Sequence, residues 1–126
     1  MRVLIDTHVL VWWWTADAEL SASGKAILRD PGNEILVSAV SAYEIEFKRD
    51  FDPLLQQLPH DLERAVLGDG FSWRAISPAD AVAAGRLRRV HRDPWDRLLA
   101  AQALAEGLPL VSIDRRLADF GVNLIW

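Results

Sequence analysis

The chain contains no cysteine. That excludes a disulfide framework and any thiolate zinc site, and it fits a reducing cytoplasm, the compartment expected. Lysine is scarce as well: only Lys25 and Lys48 occur, so twelve of the fourteen basic residues are arginine. No run is long and apolar enough for a membrane span, because Asp6 and His8 interrupt the opening MRVLIDTHVLVWWW and no small-residue cleavage site follows it. Internal repeats, linkers and low-complexity tracts are also missing. What remains is 126 residues, 51% of them hydrophobic, which is enough for one compact domain over residues 1–126 with a self-sufficient core.

A formal net charge of −4 does not favour a polyanionic partner, because phosphate contacts draw on basic residues. The distribution is more informative than the sum. Arg86, Arg88, Arg89, Arg92 and Arg97 fall within twelve positions, and Arg115 and Arg116 follow. Arginine forks suit bidentate phosphate recognition, although a solvated helical face would carry the same charges.

Strand and helix signals alternate along the chain. Arg2 to Ile5, Glu34 to Ser38, Phe71 to Ile76, Leu110 to Ile113 and Leu124 to Trp126 read as strands. Helices are expected from Thr7 to Trp14, from Ser21 or Ser23 to Arg29, from about Ser41 to Arg49, from Ala79 to about Val90 and from Trp95 to Glu106. Ser77-Pro78 and Asp93-Pro94 are cap-plus-proline starts, and Gly107 is a stop. Leu54 to Leu67 suggests a helical hairpin, with Pro59 opening its second arm. Alternation of this kind implies right-handed crossovers and a parallel sheet covered on both faces.

Asp6 and Asp114 each follow a strand, Glu44 lies just after the second strand, and Asp96 starts a long helix. In an open parallel sheet these places lie along the carboxyl edge, where ligands bind. Each acid also has a structural reading. Asp6 and Asp114 suit N-caps, Asp96 suits a first helical turn, and the four residues Ser41 to Glu44 spell a capping box. The coincidence of four favours a shared site, since crowded carboxylates repel unless a cation neutralises them. Oxygen ligands without cysteine or an ordered histidine set select Mg²⁺ or Mn²⁺, one or two ions, and sharing an ion requires neighbouring carboxylates within about 3–5 Å. Such a centre suits phosphodiester hydrolysis.

Four segments carry a resemblance: Leu4 to Thr7, SAVSAYEIEFK from Ser38, HRDPWDRLLAAQA from His91, and Leu110 to Asp114. They resemble the PIN-domain nucleases, specifically the VapC-like toxins of bacterial type II toxin–antitoxin pairs, over nearly the whole chain. The resemblance implies an α/β/α sandwich with a mostly parallel sheet of four to five strands. It implies catalytic and metal-binding roles for Asp6, Glu44, Asp96 and Asp114, with Asp93 as a candidate fifth acid or simply a cap, and support from Ser112 and Thr7. It further implies an endoribonuclease acting on tRNA or ribosomal RNA, a cognate VapB-like antitoxin, and a homodimer with two active sites in one basic groove. Trp95 replaces the usual phenylalanine and Tyr43 a common tryptophan.

Arg97 and Arg115, each one residue past a candidate acid, are candidate RNA contacts, with a salt bridge to a nearby carboxylate as the alternative. Trp12, Trp13 and Trp14 are consecutive, so at least one should be exposed, as a dimer or antitoxin surface would require. The leucines of Leu54 to Leu67 could grip an antitoxin helix or pack in the core. His8, His60 and His91 are widely spaced and read as structural. A receiver-like signalling module fits poorly, since Asp6 stands alone and no lysine follows the last strand. A dehalogenase-type phosphatase would need aspartate at position 8, where His8 stands. A fold that binds RNA or protein without cutting is the remaining alternative, and the four acids weigh against it.

Overall fold

In a computed structural model, which describes residues 1–126, five strands form one sheet in the order β3-β2-β1-β4-β5. The strands are β1 (Arg2–Ile5), β2 (Glu34–Ser38), β3 (Ser72–Arg74), β4 (Leu110–Val111) and β5 (Leu124–Ile125), and every pairing is parallel. The helices are α1 (Thr7–Thr15), α2 (Ala22–Arg29), α3 (Ala39–Lys48), α4 (Leu62–Gly68), α5 (Pro78–Arg86) and α6 (Pro94–Glu106). From β1 the chain winds outward to β2 and β3, then crosses back to β4 and β5. The reversal places the topological switch point between the carboxyl ends of β1 and β4.

Side chains that alternate along the strands build two cores. Val3, Ile5, Ile35 and Val37 face one layer with Leu10, Ile45, Leu58 and Val66, whereas Leu4 and Leu36 face the other with Leu99, Ala103, Leu110 and Leu117. Burial on both faces explains why the strands read as continuous apolar runs. No helix is long and apolar enough to cross a membrane.

Two buried arginines organise the irregular connections. Arg49 donates to the carbonyls of Leu55, Leu58 and Pro59 at 3.0, 3.1 and 2.9 Å. The guanidinium thus ties three carbonyls of this connection together, that of the buried Leu58 among them. The expected hairpin from Leu54 to Leu67 is therefore replaced: its first arm is a single 3-10 turn at Leu55–Gln57, and only α4 is helical. Leu55, Leu58 and Leu62 are buried in the core, so they are not free to grip a partner helix.

Arg97 does the same for the α5–α6 connection. It is buried, and its guanidinium donates to the carbonyls of Ala84, Leu87, Arg88 and His91 at 2.8 to 2.9 Å. Helix α5 accordingly stops at Arg86 rather than continuing to Val90.

The tryptophan run also departs from expectation. All three side chains are half-buried against the core, and the indole Nε1 groups of Trp13 and Trp14 both donate to Asp69 Oδ2, at 3.2 and 2.7 Å. Trp12 packs between His8 and Trp126. The run is thus anchored within the chain.

Candidate active site

Four helical N-termini converge on the carboxyl edge of the sheet, and three of them are capped by aspartate. Asp6 caps α1 by accepting from the Val9 amide at 3.0 Å. Asp114 caps the 3-10 helix Arg115–Phe120 through the Arg116 amide, also at 3.0 Å. Asp93 caps α6 through the amides of Trp95 and Asp96. Ser38 caps α3. The capping readings are therefore real for Asp6, Asp93 and Asp114, and in each the cap uses one carboxylate oxygen; the other takes Ser112 in Asp6 and Arg116 in Asp114.

Glu44 is different. Because Ser38 is the cap and α3 begins at Ala39, Glu44 lies in the helix interior, and the capping box expected from Ser41 to Glu44 does not form. Its buried carboxylate instead takes Lys48 Nζ at 2.6 Å, while Ser41 Oγ accepts from Thr7 Oγ1 at 2.9 Å. Thr7 thereby ties the start of α1 to α3 beside Glu44. A cleft of about 90 Å³ opens there, lined in part by Thr7, His8, Trp12, Glu44 and Lys48.

Across the switch point, Ser112 bridges two acids. Its hydroxyl donates to Asp6 Oδ2, and its oxygen accepts from the Asp114 amide at 3.0 Å. Asp96 and Asp114 then approach each other closely: with His91 they offer ligand atoms that all lie within 4.8 Å of one another. His91 thus joins the cluster, contrary to its structural assignment from spacing. Asp6, Glu44 and Asp93 fall outside this tightest group; the charges of Asp93 and Glu44 still act on Asp96, and Glu44 also acts on Asp6.

Burial pushes Asp96 up to about 6, with the charges of Asp93, Asp114 and Glu44 adding to the shift and His91 opposing it. Burial also raises Asp6, against hydrogen bonds from Ser112 and Val9. Asp114 is held below the usual carboxylate range, chiefly by the Arg116 side chain, which pairs with it at 2.8 Å. A bound cation would relieve the burial and like-charge repulsion that raise Asp96. The donor set, carboxylate oxygens with one imidazole, fits a divalent metal ion.

The two candidate RNA contacts separate. Arg97 is removed from that role, because its guanidinium is buried and consumed by backbone carbonyls. Arg115 is exposed and forms no ion pair; the arginine that pairs with Asp114 is its neighbour Arg116. Arg88, Arg89 and Arg92 are exposed on the connection that carries His91, not on a helical face. A hollow of about 340 Å³, lined by Ala39, Ala42, Glu63, Trp73 and Ala75, contains none of the candidate acids. Charge, not volume, marks the site.

A parallel, doubly wound sheet with an acidic cluster at its switch point defines a small α/β protein whose carboxyl edge could hold a divalent ion. The PIN domain family model matches residues 3–123, and the chain belongs to that family as a VapC-like member. It is 32% identical to Ribonuclease VapC22 of Mycobacterium tuberculosis over 117 residues, 91% of this chain and 88% of the relative. Among solved structures, VapBC2 from Rickettsia felis, crystallised with a DNA fragment from its promoter, superposes with a TM-score of 0.72 at 16% identity, covering 99% of this chain and 98% of the other. A toxin–antitoxin complex from Klebsiella pneumoniae gives 0.66 at 19% identity, with 98% and 96% covered. At those identities the two structures establish the fold.

Proposed function

We propose that this protein is a metal-dependent endoribonuclease toxin, hydrolysing phosphodiesters of tRNA or ribosomal RNA in the cytoplasm until a cognate VapB-like antitoxin restrains it. The observation that carries this reading is the meeting of Asp96 and Asp114 at the switch point, with Asp6 joined to them through Ser112. Its support from relatives is the ribonuclease named above and the toxin–antitoxin complexes that share the fold.

In this reading Asp6, Asp96 and Asp114 hold Mg²⁺ or Mn²⁺, one or two ions, with Glu44 and Asp93 adding negative charge at the rim. A bound divalent ion would supply activation of water and neutralisation of charge developing on the phosphate oxygens. The chain's own residues prepare the ground. Ser112 fixes the Asp6 carboxylate, Thr7 fixes the adjoining turn against α3, and the exposed Arg88, Arg89, Arg92 and Arg115 attract the RNA backbone. A homodimer belongs to the same reading. Tyr43 and Phe47, both 60% exposed and packed with Trp95, supply an apolar face for it.

Brief induction followed by sequencing of RNA ends tests the proposal. Growth arrest with new ends at defined sites, relieved by co-expression of the neighbouring gene, is expected. Harmless expression with no new ends would instead favour a fold that binds without cutting.

A further inference from the structure

His91 is the one member of the acidic cluster that is not an acid. Its side chain is only 9% exposed, and Nε2 is buried with no hydrogen-bond partner. That atom stands 2.9 Å from Asp96 Oδ2, an ion-pair distance when the ring is protonated, and forms no hydrogen bond there as a neutral ring. A buried imidazole nitrogen left without a bond is costly unless something else takes its lone pair. Its position is also built, not incidental. The ring stacks on Phe120 with centroids 6.0 Å apart and planes 4° from parallel, and the His91 carbonyl is held by Arg97 at 2.8 Å.

We infer that His91 Nε2 is a ligand of the metal site, alongside Asp96 and Asp114, so that the centre is a mixed imidazole–carboxylate site tuned to Mn²⁺ over Mg²⁺. The inference rests on the metal-dependent reading above and adds the ion's identity to it. Two ligand atoms each about 2.1 Å from one ion, at right angles, stand about 3.0 Å apart, close to the spacing seen between Nε2 and Asp96. Mg²⁺ keeps its water and prefers oxygen, whereas imidazole is a good ligand for first-row transition ions. The aromatic stack and the Arg97 clamp hold the ring ready, as supporting contacts do for metal-bound histidines.

Electron spin-echo spectroscopy of the Mn²⁺-loaded full chain tests this, because a directly bound imidazole imprints ¹⁴N modulation on the manganese signal. The wild type and a His8→Asn/His60→Asn double variant, in which His91 is the sole histidine, should both show that modulation. The double variant leaves position 91 untouched, so the test does not depend on whether a His91 variant folds. His91→Asn should lose the modulation and, by calorimetry, bind Mn²⁺ about tenfold or more weaker while Mg²⁺ binding falls by about threefold or less. Manganese bound without nitrogen modulation, or modulation lost in the double variant, would overturn His91 as a ligand, and equal losses for both ions would overturn the preference for Mn²⁺; each leaves the metal-dependent reading standing. Failure to bind either ion would overturn both.

Discussion

Ser112 and Asp6, 106 residues apart in sequence, share a hydroxyl-to-carboxylate hydrogen bond across the switch point of the sheet. The same serine oxygen accepts from the Asp114 amide, so one side chain sets the relative position of two strand-end acids. Ser112→Ala should slow RNA cleavage by about 10- to 100-fold, the usual cost of losing a contact that orients a metal-binding carboxylate. Stability should fall by only about 1 kcal/mol. Single-turnover cleavage and urea unfolding of the same preparation separate the two effects; an unchanged rate would remove Ser112 from the site.

Glu44 offers a cleaner separation of structure from function. It neither caps α3 nor closes a capping box, and its partner is the half-exposed Lys48. Glu44→Gln should therefore cost about 0.5 kcal/mol or less, as for an i,i+4 pair. Cleavage should drop sharply. Equal cleavage with lowered stability would return Glu44 to a structural role.

Arg97 should behave in the opposite way. Its guanidinium satisfies several carbonyls of the α5–α6 connection, so Arg97→Met should destabilise the fold by roughly 3 kcal/mol or more. Arg97→Lys should not rescue it, because an ammonium lacks the planar fork. Arg115→Ala, by contrast, should weaken RNA binding without moving the urea midpoint. A stable Arg97→Met protein with weakened RNA binding would restore Arg97 as a phosphate contact.

The ion pair between Asp80 and Arg74 gives the fold an acid limit of its own. Burial raises the Asp80 carboxyl, but bonds from Arg74, the Ser77 amide and Gln102 outweigh it and hold the group at about 2. A carboxylate depressed in the folded state adds stability above its unfolded value near 3.8, and that stability is lost as pH falls from there through about 2. The contribution is roughly 2 kcal/mol at neutral pH. Asp80→Asn should remove it, so the variant's stability should be lower than wild type at pH 6 and should converge with it near pH 2.

Much of this architecture is legible in the sequence. The β-rich runs with Leu4 and Leu36 facing away from Val3 and Val37 announce a sheet covered on both sides, and Ser77-Pro78 and Asp93-Pro94 mark helix starts that do form. The carboxyl-edge placement of Asp6 and Asp114 follows from the same alternation. Other features were hidden because they depend on distant partners. Nothing near Trp13 and Trp14 in sequence points to Asp69. Arg49 and Arg97 look like surface charge until the carbonyls they collect are known. The start of α3 at Ala39 turns on whether Ser38 or Ser41 acts as cap, a choice that local chemistry leaves even and the end of β2 decides. His91 reads as structural in the sequence because a lone histidine in a loop has no ligand spacing; Asp96, five residues on, stands 2.9 Å from it where Arg97 holds the His91 carbonyl.

The most direct test of the central claim is RNA cleavage by Asp96→Asn. The substitution keeps the side chain's shape while removing the charge at the centre of the cluster. With Mn²⁺ or Mg²⁺ present and the melting temperature no lower than wild type, the rate should fall by on the order of a hundredfold or more. Undiminished, metal-stimulated cleavage by rigorously purified Asp96→Asn protein would contradict the assignment.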